Sequence, residues 1–130
     1  MKMDYMGTMM DALQMKLVTC EKAQVVMTMP VFENTMQPMR LLHGGASVAL
    51  AESVASVGTM LFVNPETQTA VGLEINANHV RSATGGIVTA TGVPLHAGRK
   101  TVVWDIRIHD EDNHLICVSR CTVAIVSKKS

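Results

Sequence analysis

Glu52 is the only charged side chain in the run ASVALAESVASVGTMLFV, which spans Ala46 to Val63. A carboxylate among apolar side chains is costly unless it is paired or used. It therefore reads either as a satisfied structural Glu or as a nucleophile or general base facing a cleft. His43, Gly44 and Gly45 immediately precede the run. Glycines let backbone N–H groups approach a ligand closely. At a helix start, free N–H groups and the helix dipole favour negative charge. The pattern fits an oxyanion hole or a plain capped helix entry, and spacing alone leaves both open. Gln37 precedes Pro38 in a loop segment, where its amide is either solvated or a second donor to a carbonyl. Ser56 follows Glu52 by four residues, on the same helical face. It could orient the carboxylate or a water, or bond the carbonyl one turn back.

These residues need a rigid support. The run from Ala46 to Val63 begins after His-Gly-Gly and stops at Asn64-Pro65, both helix punctuation. It predicts a buried helix of about five turns. Its richness in Ala, Ser and Gly favours close packing inside a protein over lipid contact. The rest of the chain alternates. Residues 16–29 read as a strand or hairpin, with Val25, Met27 and Met29 on one face. Residues 69–80 set Val71, Leu73, Ile75 and Ala77 against Gly72, Glu74, Asn76 and Asn78. Residues 86–96, 101–109 and 114–126 are further strands, the last two joined by a turn at 110–113. The first dozen residues suggest a short helix. The expected class is α+β: one long helix covering the apolar face of a curved antiparallel sheet of five to six strands.

Composition narrows the function. With 130 residues, one domain spanning 1–130 is expected. Eleven basic and eleven acidic side chains balance, and no basic run is longer than a pair. An electrostatic nucleic-acid footprint is absent, so no nucleic-acid partner is expected. Cys20, Cys117 and Cys121 form no CxxC and are odd in number, so buried thiols are expected rather than disulfides. No secretory signal is visible, which points to the cytoplasm and no membrane. The five His residues fall in no ligand spacing, so no metal is expected.

The segment Gln37-Pro38-Met39-Arg40-Leu41-Leu42-His43-Gly44-Gly45-Ala46-Ser47, with Ala51-Glu52-Ser53 after it, resembles the small bacterial hot-dog thioesterases. The branch acting on 1,4-dihydroxy-2-naphthoyl-CoA and benzoyl-type thioesters is the most similar in motif. The stretch from Val71 to Ser82 matches it nearly throughout, and Pro94, Leu95, His96, Gly98 and Trp104 follow at the family spacing. The likeness runs from about residue 27 to 126 and departs at Arg40, where a Gly is usual. The resemblance implies an aromatic acyl-CoA as substrate and no cofactor beyond that CoA. Glu52 would be nucleophile or general base, with Gly44 N–H and Gln37 polarising the thioester carbonyl. His43 would support that loop or the leaving thiolate, and Ser56 the hydrolytic water. Gly72, the segment His79, Val80, Arg81, Ser82 and the segment His96, Ala97, Gly98, Arg99, Lys100, Thr101 would hold the CoA. The cations among them suit its phosphates. Met39, Arg40, Met60 and the Met-rich amino terminus are candidates for shaping the acyl pocket.

Gly44 and Glu52 are eight residues apart, about 12 Å along a helix axis, whereas attack on a carbonyl needs about 3–3.5 Å. The spacing therefore predicts a site shared by two chains across a twofold axis. Family members with this pattern form such homodimers, often paired into homotetramers. Other readings are a medium-chain or broad-range acyl-CoA or acyl-carrier thioesterase, and a non-catalytic acyl-CoA-binding module. A hot-dog dehydratase would need an acid/base His on the buried helix, which has none.

Overall fold

The structure, a computed structural model, describes residues 4–128. The chain runs α1 (Met9–Ala12), β1 (Lys16–Glu21), β2 (Gln24–Pro30), α2 (Gly44–Thr59), β3 (Gln68–His79), β4 (Ile87–Ala97), β5 (Thr101–His109) and β6 (Leu115–Ser127). The strands form one sheet in the order β1-β2-β4-β5-β6-β3, antiparallel throughout. α2 packs against all six strands. This is the α+β arrangement of one long helix on a six-stranded sheet. The expected helix over the first dozen residues is confined to Met9–Ala12, and its first three positions lie outside the described residues.

α2 begins two residues earlier than the apolar run suggests, because His43 caps it and Gly44 already has helical backbone. A 3-10 turn, Met60–Phe62, extends it before Val63 goes extended ahead of Asn64-Pro65. The stretch Gly44–Phe62 is long and apolar enough to cross a membrane by length and composition. In this fold Leu50, Ala51, Val54 and Ala55 are instead fully buried under the sheet. They share one core cluster with Val25, Met27, Met29, Val88, Val102, Trp104, Ile106 and Val123. Burial of each larger apolar side chain contributes about 1.5–3 kcal/mol.

The small residues of α2 let the sheet come close. A Cβ built at Gly58 would run into the Trp104 ring, and one at Gly92 on β4 would run into Val54. Trp104 is fully buried, and its Nε1 donates to Thr59 Oγ1 at 2.9 Å. The Thr59 hydroxyl in turn donates to Ala55 O at 2.8 Å. Phe62 meets the same indole edge-on, with centroids 6.3 Å apart. One ring thus fixes both the rotation of α2 and its distance from β5.

β3 departs from the expected alternation. Val71 and Leu73 are 48% and 61% exposed, while Ile75 and Ala77 are partly buried against the core. The register with β6 shifts between Gly72 and Glu74. A bulge adds one residue and reverses the parity beyond it. Residues 71 and 73 therefore do not share the inward face of 75 and 77, and Gly72 faces α2 instead. β3 is also an edge strand, paired only with β6.

Gly58→Ala tests the close approach. Helix propensity alone favours Ala by about 1 kcal/mol. Overpacking against a buried ring costs about 1–3 kcal/mol, so urea denaturation is expected to find a net loss of stability. A gain would show that Trp104 leaves room for the methyl group.

Candidate active site

At the start of α2, His43 is the N-cap. Its Nδ1 accepts from Gly45 N–H at 2.8 Å, and its carbonyl accepts from Ala46 and Ser47. That bond assigns the neutral imidazole proton to Nε2. It also consumes the Gly45 N–H, whereas Gly44 N–H has no partner among the described residues. Of the two glycine donors considered from sequence, one is left open. The preceding turn is closed by Arg40 N–H to Gln37 O at 2.9 Å and Gln37 N–H to Leu41 O at 2.8 Å. Arg40 adopts φ 64°, the left-handed region that favours Gly. That accounts physically for a Gly being usual there. Gln37 Oε1 accepts from Met39 N–H, so the side-chain NH₂ remains as donor. Buried Thr35 steadies the loop: its hydroxyl donates to Pro30 O at 2.8 Å, and its carbonyl accepts from His43 N–H at 2.8 Å.

Gln37 and Gly44 line one cavity of about 360 Å³ together with Ser47, His79, Arg81 and Ser82. His79 Nε2 lies 2.9 Å from where a Cβ on Gly44 would be. The absence of a side chain at 44 is what admits the imidazole beside the helix start. Val80 also lines this cavity. His43 does not: its ring lies in a separate depression with Met9, Asn34 and Gly45. Its bond to Gly45 N–H braces the loop.

Glu52 lies in a second cavity of about 350 Å³, with Met9, Met10, Ser56, Met60 and Ala70 on its walls. The two cavities share no residue. The carboxylate is half-buried and makes no hydrogen bond or ion pair among the described residues. Its Oε2 rests where a Cβ of Gly72 would be. Gly72, expected with the CoA segments, is thus the floor on which Glu52 lies. Ser53 bonds back to Ala49 O at 2.7 Å, whereas the Ser56 hydroxyl makes no such bond among the described residues. Ser56 is free to hold a water beside the carboxylate. Cys121 is not a rival nucleophile: burial, with Glu52 and Glu74 adding to it, pushes its thiol up to about 12.

The two segments expected to hold CoA are not brought together in one chain. His79 is level with Cys117 and Ile108, while Thr101 is level with Ala124 and Val71. Seven residues of β5 separate these levels, about 24 Å at strand rise. His96, Ala97, Arg99 and Lys100 are exposed on the β4–β5 hairpin, which Gly98 N–H to Thr101 O closes at 2.8 Å. One end of the molecule therefore carries Gln37, Gly44 and the 79–82 segment. The level of the other holds Glu52, Gly72 and the 96–101 segment.

Of the pocket-shaping candidates, Met60 reaches the Glu52 cavity, whereas Met39 is 77% exposed and neither it nor Arg40 lines that cavity. Met9 and Met10 come from a four-residue helix whose place no local pattern reveals. Sequence spacing also passed over a grouping on the β5–β6 hairpin, where possible ligand atoms of Asp110, Asp112 and His114 lie within 4.8 Å of one another. Asp110 Oδ1 already accepts from the Asp112 and His114 N–H groups. Those bonds hold the Asp110 carboxyl below its usual range.

His43→Ala removes the cap and is expected to cost about 1 kcal/mol, whereas His43→Asn, a good N-cap, retains most of it. Equal stability of the two variants in urea denaturation would show that the Nδ1 bond contributes nothing.

Comparison with known proteins identifies the family. Residues 39–117 match the family model described as the thioesterase superfamily. A protein of Listeria monocytogenes named 1,4-dihydroxy-2-naphthoyl-CoA hydrolase is 44% identical over 119 residues, covering 92% of this chain and 96% of that one. One of the same name from Escherichia coli is 57% identical over 99 residues, covering 76% and 72%. ComA2 of Bacillus subtilis, named as an esterase with no substrate given, is 48% identical over 126 residues, covering 97% and 100%. Among solved structures, a variant thioesterase from Pseudomonas aeruginosa superimposes with a TM-score of 0.93 at 40% identity, covering 95% of this chain and 89% of that one. The chain belongs to the thioesterase superfamily and is a thioester hydrolase of hot-dog fold.

Proposed function

We propose that the chain hydrolyses an aromatic acyl-CoA of the hydroxynaphthoyl or hydroxybenzoyl type, with Glu52 as nucleophile or general base. The observation that carries this is an unpaired carboxylate at the wall of an apolar, methionine-lined cavity. The names of the Listeria and Escherichia relatives support the aromatic acyl group. In the reaction, a Glu52 oxygen attacks the thioester carbonyl carbon, or takes a proton from the water that does. The carbonyl oxygen gains charge, which the Gly44 N–H and the Gln37 amide stabilise. The C–S bond then breaks and CoA leaves as thiolate. Where Glu52 has formed an anhydride, a water beside Ser56 cleaves it and regenerates the carboxylate.

The donors and the carboxylate come from two chains in this reading. The separate cavities and the two ends of the sheet support it, because an antiparallel second copy sets the Gln37–Gly44 end of one chain against the Glu52 end of the other. The bare edge of β3, next to Glu52, leaves backbone groups free for such pairing. The 79–82 segment of one chain and the 96–101 segment of the other then lie on one CoA. Exposed Val71, Leu73 and Leu95 are the apolar surface that suits pairing of dimers into a homotetramer. Three unpaired thiols suit a reducing cytoplasm.

A panel of aryl-CoA and fatty acyl-CoA thioesters tests the reading. Turnover is expected to be highest on the aryl members. Glu52→Ala is expected to lower it by on the order of 10³-fold or more in a folded protein. Gln37→Ala is expected to cost about 10- to 100-fold, the scale of one oxyanion donor. Near-normal turnover by Glu52→Ala would remove Glu52 from the chemistry.

A further inference from the structure

The walls of the Glu52 cavity are unusual in origin. Met60 closes the carboxyl end of α2, and Ser56 and Glu52 stand one and two turns before it. The facing wall is Met9 and Met10, carried on α1. A four-residue helix does not persist alone, so α1 stays where its attachments put it. Asn34 Nδ2 donates to Ala12 O at 3.1 Å, and Met10 and Leu13 pack on the edge of the core. Residues with left-handed backbone stand on either side, Gly7 at φ 74° and Gln14 at φ 56°. No residue of α1 is buried, and Met9 is 60% exposed. The wall is therefore thin and joins the packing that holds the fold only at its edge.

Size and chemistry say what fits. An apolar cavity of about 150 Å³ takes one benzene ring. The space beside Glu52 is an open cleft of about 350 Å³, with room for two fused rings. Methionine thioethers adapt to irregular shapes and make favourable contacts with aromatic ring edges. Three of them surround this space with no cation among the lining residues. We infer that Met9 and Met10 of α1 are the specificity-determining residues for the acyl group, forming with Met60 a slot sized for a two-ring aryl thioester. This rests on the reading of Glu52 as the residue that attacks the thioester.

Hydrolysis of 1-hydroxy-2-naphthoyl-CoA, benzoyl-CoA and decanoyl-CoA is measured for the wild type, Met10→Trp and the double variant Met9→Ala/Met10→Ala. No residue of α1 is fully buried and only Met10 touches the edge of the core, so the substitutions are expected to leave the fold intact, which a thermal melt checks. Met10→Trp fills the slot and is expected to lower kcat/KM for the naphthoyl thioester relative to benzoyl by at least about tenfold, the scale of a filled apolar pocket. The double Ala variant widens the slot and is expected to move preference toward decanoyl by a similar factor. If Trp disturbs the fold, the Ala variant carries the test alone. Ratios within about twofold of wild type, in an enzyme that hydrolyses these thioesters and loses activity with Glu52→Ala, would overturn the role of α1 and leave the catalytic reading standing. A wild type inactive on all three would overturn the catalytic reading, and this inference with it.

Discussion

An α-helix advances only about 1.5 Å per residue, and that rise governs how this molecule can work. Gly44 opens α2 at one end of the sheet, and Glu52 stands about 12 Å further along, resting on Gly72 of the edge strand β3. Both positions are set locally: the first by the His43 side-chain cap, the second by the β3 bulge that turns Gly72 inward. No side-chain rearrangement within one chain closes such a gap. The sheet repeats the division, because the 79–82 segment and the 96–101 hairpin lie at opposite ends of β5 and β6. In the proposed reading each chain holds two half-sites, which a second copy would complete.

The arrangement needs α2 held at a fixed rotation, since a turn of the helix would carry Glu52 off the edge strand. The Trp104 indole supplies that constraint. It bonds Thr59, lies against Gly58 and meets Phe62 edge-on. Four apolar residues of α2 with no exposure pack under the same sheet. The proposed chemistry is therefore borne by a rigid element, while α1, the proposed acyl-facing wall, touches only the edge of the core through Met10. Such a division lets acyl preference change without disturbing the position of the carboxylate.

Much of this was legible in residue types. A lone carboxylate in an apolar run, glycines before it and Asn-Pro after it mark α2 and the position of Glu52 without any contact information. The β-strands also fall close to the alternating segments. The inward face of β3 was not legible, because a one-residue bulge reverses parity without changing composition. Nor was the fate of the Gly45 N–H, which depends on the rotamer of His43. Arg40 departs from the Gly that the resemblance implies, and only its positive φ shows why a Gly would suit that position. Met9 and Met10 sit some forty residues in sequence from the carboxylate they flank, and only the docking of α1 brings them there.

Complementation between impaired chains tests the shared site most directly. Glu52→Ala and Gln37→Ala proteins are mixed under conditions where subunit exchange is verified, and hydrolysis of an aryl-CoA is followed. In a hybrid dimer one composite site carries both defects and the other carries neither. Activity is expected to rise well above that of either variant, toward half that of an intact dimer per hybrid. If exchange proceeds and activity stays at the level of the separate variants, Glu52 and Gln37 act within one chain, and the account of a composite site is wrong.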